Sequence, residues 1–536
     1  MSQEENCYTF VMFVRKKRNA SGSVSVQIIS KKSGKYKVVE TVGCSKDSDE
    51  IESLYKHAMQ RLKELSPTLF DVVDYMTNNK RLSNKDIRVI GDELIFGKIF
   101  QDIGCGSIFL NSMSEKELFK NLVISRLLYP GSKLYLIDYL HIYKKKTIDK
   151  NRIYRFLDKL YDDDLKSEIE MCIFNHTKKI MNNTITVTFY DVTTLYFESE
   201  SEDDLRRIGF SKEGKLARPQ IQLGLFTTLQ GYPLSFEVYE GNKYEGHTLT
   251  DILQKFQDKF DIKNKPIVVA DRGMLTNENI AYLENHGYKY ILAARIKNIS
   301  EDIKKRIIQL PFLDDGVIHT LEIEKEIVYK DINGQKSSIK VKQRLILTYS
   351  STRAKKDRYN REKALKRLQK KIERSNNLTK DDLKMSGYAK FLKFGNKECD
   401  ITFNIDEKKI QEDAKLDGTK GFFTNDFTLP PNQIIQHYQN QYDVEKAFRI
   451  SKTDLKIRPI FHRLERRIKA HILISFISYA IYKEFERRFK AAKLDIKFKL
   501  TFDYIKTMYG YKTPLGVEPL EMDEIQQQIY DAIHHS

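Results

Sequence analysis

The sequence predicts a mixed α/β protein, and three observations carry that expectation. From Thr184 the run TITVTFYDV alternates, so Ile185, Val187, Phe189 and Asp191 share one strand face. Two further strand-like runs follow, PQIQLGLFTT and YPLSFEVYEG, with LQGY as the turn between them. Downstream, KPIVVAD is a continuous apolar run of the kind found in a strand covered on both faces. It lies between helical patterns at about 248–260 and 277–287, and KYILAAR adds another strand.

At 536 residues the chain is long enough for two to four structural units. Region 1–110 has a basic turn at Arg15–Arg18, strands around Val24–Ile29 and Tyr36–Val42, and a helix over Ser48–Leu65. It reads as a small mixed domain. Region 111–182 reads as helical: SEKELFKNLVISRLL opens with a capping box, Ser114 and Glu117, and NRIYRFLDKL brings Arg152 and Arg155 together. The α/β core begins over 183–297. An inserted strand-rich domain is expected at 298–416, with the strand SIKVKQRLILTY and a helix from Arg353 to Arg374 that carries eleven Lys and Arg against three acids. The core resumes over 417–485 through DGTKGFFTND and the segment HYQNQYDVEKAFRISK, His437–Lys452; a basic helical region, 486–536, ends the chain.

Lys and Arg number 92 against 74 Asp and Glu, a formal charge of +18, so an anionic partner is expected. A membrane is excluded as a medium: the longest apolar run, Ala470–Tyr482, has thirteen residues, where a spanning helix needs about 20. MSQEENCYTF has no apolar stretch of the secretory kind. The five cysteines are scattered without a C-x-x-C pair, which fits a reducing cytoplasm and speaks against a structural zinc. GFSKEGKL, Gly209–Leu216, matches a phosphate-loop spacing but places Leu216 where a hydroxyl is required. No G-x-S-x-G or H-E-x-x-H occurs. His462 and His471, nine apart in a basic stretch, suit phosphate contact or packing better than metal ligation.

Two carboxylates end predicted strands: Asp191 on the apolar face of its strand, and Asp271 after IVVA. Ligands of α/β sheets gather at the carboxyl ends of strands, so the pair suggests a shared site, although either acid alone would also serve to cap a turn. The third acid lies in His437–Lys452. On an ideal helix Tyr438, Glu445 and Lys452 stay within about 20° of one another at each step of seven. Val444, Ala447 and Phe448 then lie on another side and can dock the helix, aiming Glu445 towards the two aspartates. Such hard oxygens are what a pair of Mg²⁺ ions requires. A surface helix laced by the Glu445 and Arg449 pair is the alternative.

The blocks FYDVTTLYF, VVADRGM and HYQNQYDVEKAFRISK together resemble bacterial insertion-sequence transposases of the DDE type, in the insertion-sequence-four family. The signature of that family in the last block is Tyr, two residues, Arg, three residues, Glu, six residues, Lys, which Tyr438, Glu445 and Lys452 match in register. Gln441 stands where the family has Arg, so either a cation such as Arg449 substitutes or end binding is altered. The likeness extends from about residue 90 to 485, and 174 positions separate Asp271 from Glu445, room for the insertion domain these proteins carry.

The resemblance implies an RNase H-like catalytic core with Asp191, Asp271 and Glu445 as catalytic metal ligands for two Mg²⁺ ions, Mn²⁺ substituting. Tyr438, Gln441, Arg449 and Lys452 would contact DNA phosphate. It further implies binding to terminal inverted repeats and target DNA, cut-and-paste transposition, a homodimeric synaptic complex, and a bacterial cytoplasmic, nucleoid-associated location. Two other readings stay open: a catalytically silent DNA-binding relative of a transposase, and a host nuclease on the same fold.

Overall fold

The computed structural model describes residues 11–32, 35–65, 83–109, 111–209, 218–260, 264–311, 314–330, 334–374, 391–397 and 400–535. Cys7, Cys399 and the Phe210–Leu216 part of the phosphate-loop-like segment lie outside them. The chain divides into two compact units: one formed by 1–95, 137–148 and 491–536, the other by 96–136 and 149–490.

In the first unit, strands β1 (Val11–Arg18), β2 (Val24–Lys32) and β3 (Lys35–Ser45) form an antiparallel sheet covered by the helix Ser48–Leu65 around Val26, Ile28 and Ala58. Arg15–Arg18, expected as a turn, is instead the end of β1, and the chain turns after it at Asn19–Gly22. A short strand β4 (Ile87–Val89) follows. Nearby, Asp92 is fully buried yet satisfied, accepting from Lys144 and from the Tyr139 hydroxyl at 2.7 Å.

The second unit contains the α/β core. Its strands are β5 (Val187–Tyr196), β6 (Gln220–Thr228), β7 (Pro233–Glu240), β8 (Ile267–Ala270), β9 (Tyr290–Ala293), β10 (Ile318–Lys330), β11 (Lys336–Tyr349), β12 (Leu392–Lys397), β13 (Asp400–Ile405) and β14 (Thr419–Thr424). Eight of them make one sheet in the order β10-β11-β14-β9-β8-β5-β6-β7. The meander β5 to β7 is antiparallel, and β8 and β9 run parallel to β5. This is the mixed RNase H-like sheet that the sequence led us to expect. β10 and β11 do not pair apart from it: they extend the same sheet through β14. Both faces of β5 are covered, with Thr188, Tyr190 and Thr194 buried alongside Phe189 and Leu195.

The helix expected to start at Ser114 starts at Met113, because Ser112 is the cap and accepts from the Glu115 amide at 3.3 Å. Ser114 is taken instead by the Arg152 guanidinium of the helix Lys150–Lys159. The apolar run Ala470–Tyr482 lies within a buried helix, Glu465–Ala491, and no described helix is long and apolar enough to cross a membrane. Back in the first unit, β15 (Tyr509–Thr513) pairs β16 (Gly516–Pro519) and β4. Cys44, Cys105 and Cys172 are free thiols.

Candidate active site

The two aspartates meet through strand register. β5 and β8 pair in parallel up to Tyr190 opposite Ala270, so Asp191 and Asp271 occupy the next position on each of two neighbouring strands. β5 itself continues to Tyr196, held by β6, whereas β8 stops and Asp271 caps the short 3₁₀ turn Arg272–Met274. The Val192 amide donates to Asp191 Oδ1 at 2.8 Å, and the Gly273 amide donates to Asp271 Oδ1. Both acids are thus partly buried carboxylates with one oxygen already engaged by backbone.

Gly273 also discloses a fourth acid. A side-chain carbon there would lie 2.8 Å from Asp271 Oδ1 and 3.4 Å from Glu245 Oε2, so these two carboxylates flank one small backbone gap. The sequence placed Glu245 only at the entry to a helix, which is Thr248–Lys259 in the structure. Its approach to Asp271 depends on two turns far apart in the chain.

The segment His437–Lys452 is not one continuous helix. It comprises the helix Pro431–Gln439, a tightened turn at Asn440 and Gln441, the helix Tyr442–Arg449, and a π turn over Ile450–Asp454. At the break the amides bond three residues back: Gln441 to Tyr438 at 3.0 Å, Asp443 to Asn440 at 2.9 Å, Val444 to Gln441 at 3.0 Å. Such i to i+3 bonding winds the chain at three residues per turn, so the seven-residue stripe does not survive as drawn. Tyr438, Glu445 and Lys452 come from three different elements.

The consequences differ by residue. Tyr438 lies on the helix packed over β8 to β11, its ring 4.6 Å from that of Phe422. Burial, then the Asp271 and Asp191 carboxylates, push its phenol well above the usual value; Arg272 opposes this and Glu445 adds to it. All three acids therefore act on one hydroxyl. Val444 and Ala447 are fully buried and Phe448 nearly so, docking the second helix against β5, while Glu445 is exposed. Lys446 ties this helix to Glu465–Ala491 through Glu486 at 2.7 Å. Gln441 is buried at the break. Arg449 is exposed, accompanied by Tyr442, whose hydroxyl accepts from it at 3.3 Å. Lys452 is partly buried in the π turn.

Carboxylate oxygens are the hard donors that magnesium and manganese take, and no thiolate or imidazole intrudes, so the residue types fit those ions rather than zinc or copper. Among the described residues, no three His, Cys, Asp or Glu side chains are gathered closely enough to hold an ion as placed.

No curated protein sequence matches the chain. Among solved structures it is similar to a piggyBac transposase synaptic complex with hairpin DNA, at 8% identity and a TM-score of 0.34, over 81% of this chain and 74% of that one. It is also similar to the Mos1 mariner paired-end complex with Mn, at 11% identity and a TM-score of 0.15, over 45% and 74% respectively. Residues 182–481, more than half of the chain and including Asp191, Glu245, Asp271, Tyr438, Glu445 and Lys452, match the family model described as the Transposase DDE domain, and the chain belongs to that family.

Proposed function

We propose that the chain is the transposase of a bacterial insertion sequence, of the insertion-sequence-four family, acting in the cytoplasm on nucleoid DNA. It would bind the terminal inverted repeats of its own element, cleave there, and join the ends to target DNA, working as a homodimer that holds two ends. The observation that carries this reading is geometric: strand register sets Asp191 and Asp271 at neighbouring strand ends, and the helices that carry Tyr438 and Glu445 pack on those same strands.

Asp191, Asp271 and Glu445 would hold two Mg²⁺ ions, with Mn²⁺ as a substitute. Such ions lower the pKa of the attacking water or 3′ hydroxyl and neutralise charge on the leaving oxygen. The rest is the work of the chain. Tyr438 stays protonated, because anionic neighbours disfavour a phenolate, and so it can donate to a phosphate oxygen. Arg449 and Lys452 supply positive charge along the approach, taking the part of the arginine that Gln441 replaces; Gln441 acts from its buried place by setting the turn between Tyr438 and Glu445. The excess of Lys and Arg, including those on the helix Ser351–Arg374, supports a salt-sensitive grip on the duplex.

Asp191→Ala tests this directly. On duplexes that carry the inverted repeats flanking the gene, the wild type nicks with Mg²⁺, whereas the variant binds the ends and does not nick. Cleavage undiminished in the variant, or absent in the wild type, rejects the proposal; the second result would favour a DNA-binding relative without catalysis.

A further inference from the structure

Away from the carboxylates, the second unit buries a cluster of positive charge. Arg126, on the helix Met113–Leu128, is 3% exposed, and Lys133 is 6% exposed. His462 and His471 are also buried, their rings 5.6 Å apart. Arg126 Nη2 donates to the Lys456 carbonyl at 2.6 Å and lies 3.5 Å from His471 Nε2, while Arg126 Nε has no hydrogen-bond partner. His471 Nε2 is 2.9 Å from the Ile457 carbonyl, which can only accept, so that nitrogen bears the proton. Of the charges that act on the Lys133 amino group, Arg126 opposes its protonation.

Among the described residues the carboxylate Asp158 acts on His462, and it is already occupied: Arg467 grips it with two bonds of 2.7 Å and Arg466 lies at 2.8 Å. The local charge is therefore strongly positive even with Asp158 counted. Burial lowers the Arg126 pKa to about 10 and that of Lys133 well below its usual value, and burial followed by repulsion from Lys133, Arg467 and Arg126 lowers His462 to about 4. Burying two uncompensated cations side by side is costly unless an anion is expected there.

We propose that Arg126, Lys133, His462 and His471 form a phosphate-binding pocket, and that its occupant is a backbone phosphate of the DNA held at the carboxylate site, an assignment that rests on the transposase reading. Its position suits that occupant. The loop that carries His462 begins beside the end of β5, where the Arg458 guanidinium lies 5.5 Å from the Tyr196 ring centre. Tyr196 is five residues beyond Asp191 on the same strand. Five strand residues span roughly 17 Å, so this loop starts along β5 from the carboxylates. An Arg guanidinium and a Lys ammonium side by side supply the donors that the oxygens of a phosphate group take.

The full chain, its Lys133→Met variant and its Arg126→Gln variant decide the matter. Circular dichroism selects the variant that retains the native signal. Inorganic phosphate is expected to raise the wild-type Tm above that in chloride at equal ionic strength, and the variant should lose this shift. The variant should also bind repeat duplex about tenfold or more weakly, with the slope of log K against log salt reduced by about one. Equal responses to phosphate in both proteins would overturn the pocket. Loss of the phosphate shift with unchanged DNA affinity and slope would show a free-anion site and overturn the DNA assignment. Failure of the wild type to nick would reject the transposase reading alone, because the phosphate measurement does not depend on cleavage.

Discussion

At the scale of the residue, Tyr438 reports what the three acids do together. A phenol partly buried beside carboxylates is held protonated, so its useful chemistry is donation of a hydrogen bond rather than proton abstraction. Tyr438→Phe keeps the ring against Phe422 and removes only the hydroxyl. Nicking is expected to fall on the order of a hundredfold, the cost of losing one donor at developing charge, while end binding changes little. A gel assay that finds full nicking rates in this variant would remove Tyr438 from the site. Glu245 was invisible as a member of this neighbourhood in the sequence, since nothing in KYEGHTL says that its carboxylate will face Asp271 across Gly273.

At the scale of the element, Gly224 allows β5 and β6 to place Asp191. It pairs with Val192, and a side-chain carbon there would lie 2.5 Å from the Tyr190 phenol oxygen, one residue before Asp191. Tyr190 is fully buried and cannot yield outward. Gly224→Val should therefore cost about 1–3 kcal/mol by overpacking and depress nicking beyond the loss of folded protein. Urea unfolding beside a cleavage assay separates the two effects; unchanged values in both would show that the strand has slack. The break at Asn440 and Gln441 belongs to this scale too. Helical periodicity describes a regular helix, and it holds for Val444, Ala447 and Phe448 within one element but not across a turn of 3₁₀ winding.

At the scale of the molecule, buried charge ties the core to pH. Burial works against the charged form of Glu486, yet hydrogen bonds from Lys446 and Lys483 outweigh it and hold the carboxyl at about 2. Its unfolded value is about 4.3, so this contribution is complete above that pH and is lost as pH falls towards 2. Because Lys446 sits on the Glu445 helix, acid should release that helix from Glu465–Ala491 as the core loosens. Glu486→Gln is expected to destabilise the protein at pH 7 by about 3 kcal/mol and to flatten the fall in stability between pH 5 and 2. Thermal unfolding measured across that range would refute this if both proteins gave the same curve.

The sequence by itself determined strands β2, β3, β5 to β9, β11 and β14, most helix limits and the three acidic blocks, because those depend on local periodicity and on acids at strand ends, which neighbouring residues encode; it did not give β15 and β16, which lie in the region 486–536 expected to be helical. Ser48–Leu65 appears in the structure with the limits expected for it, and β6, β7 and β11 lie where their patterns placed them. Only the tertiary structure decided the rest. Register between β5 and β8 sets Asp191 next to Asp271, hydrogen bonding at Gln441 breaks the expected stripe, and packing of separate helices and a loop gathers Arg126, Lys133, His462 and His471. Asp191 and Asp271 are 80 positions apart and Arg126 and His471 are 345 apart, and a pattern with a period of two or 3.6 residues carries no information about such contacts.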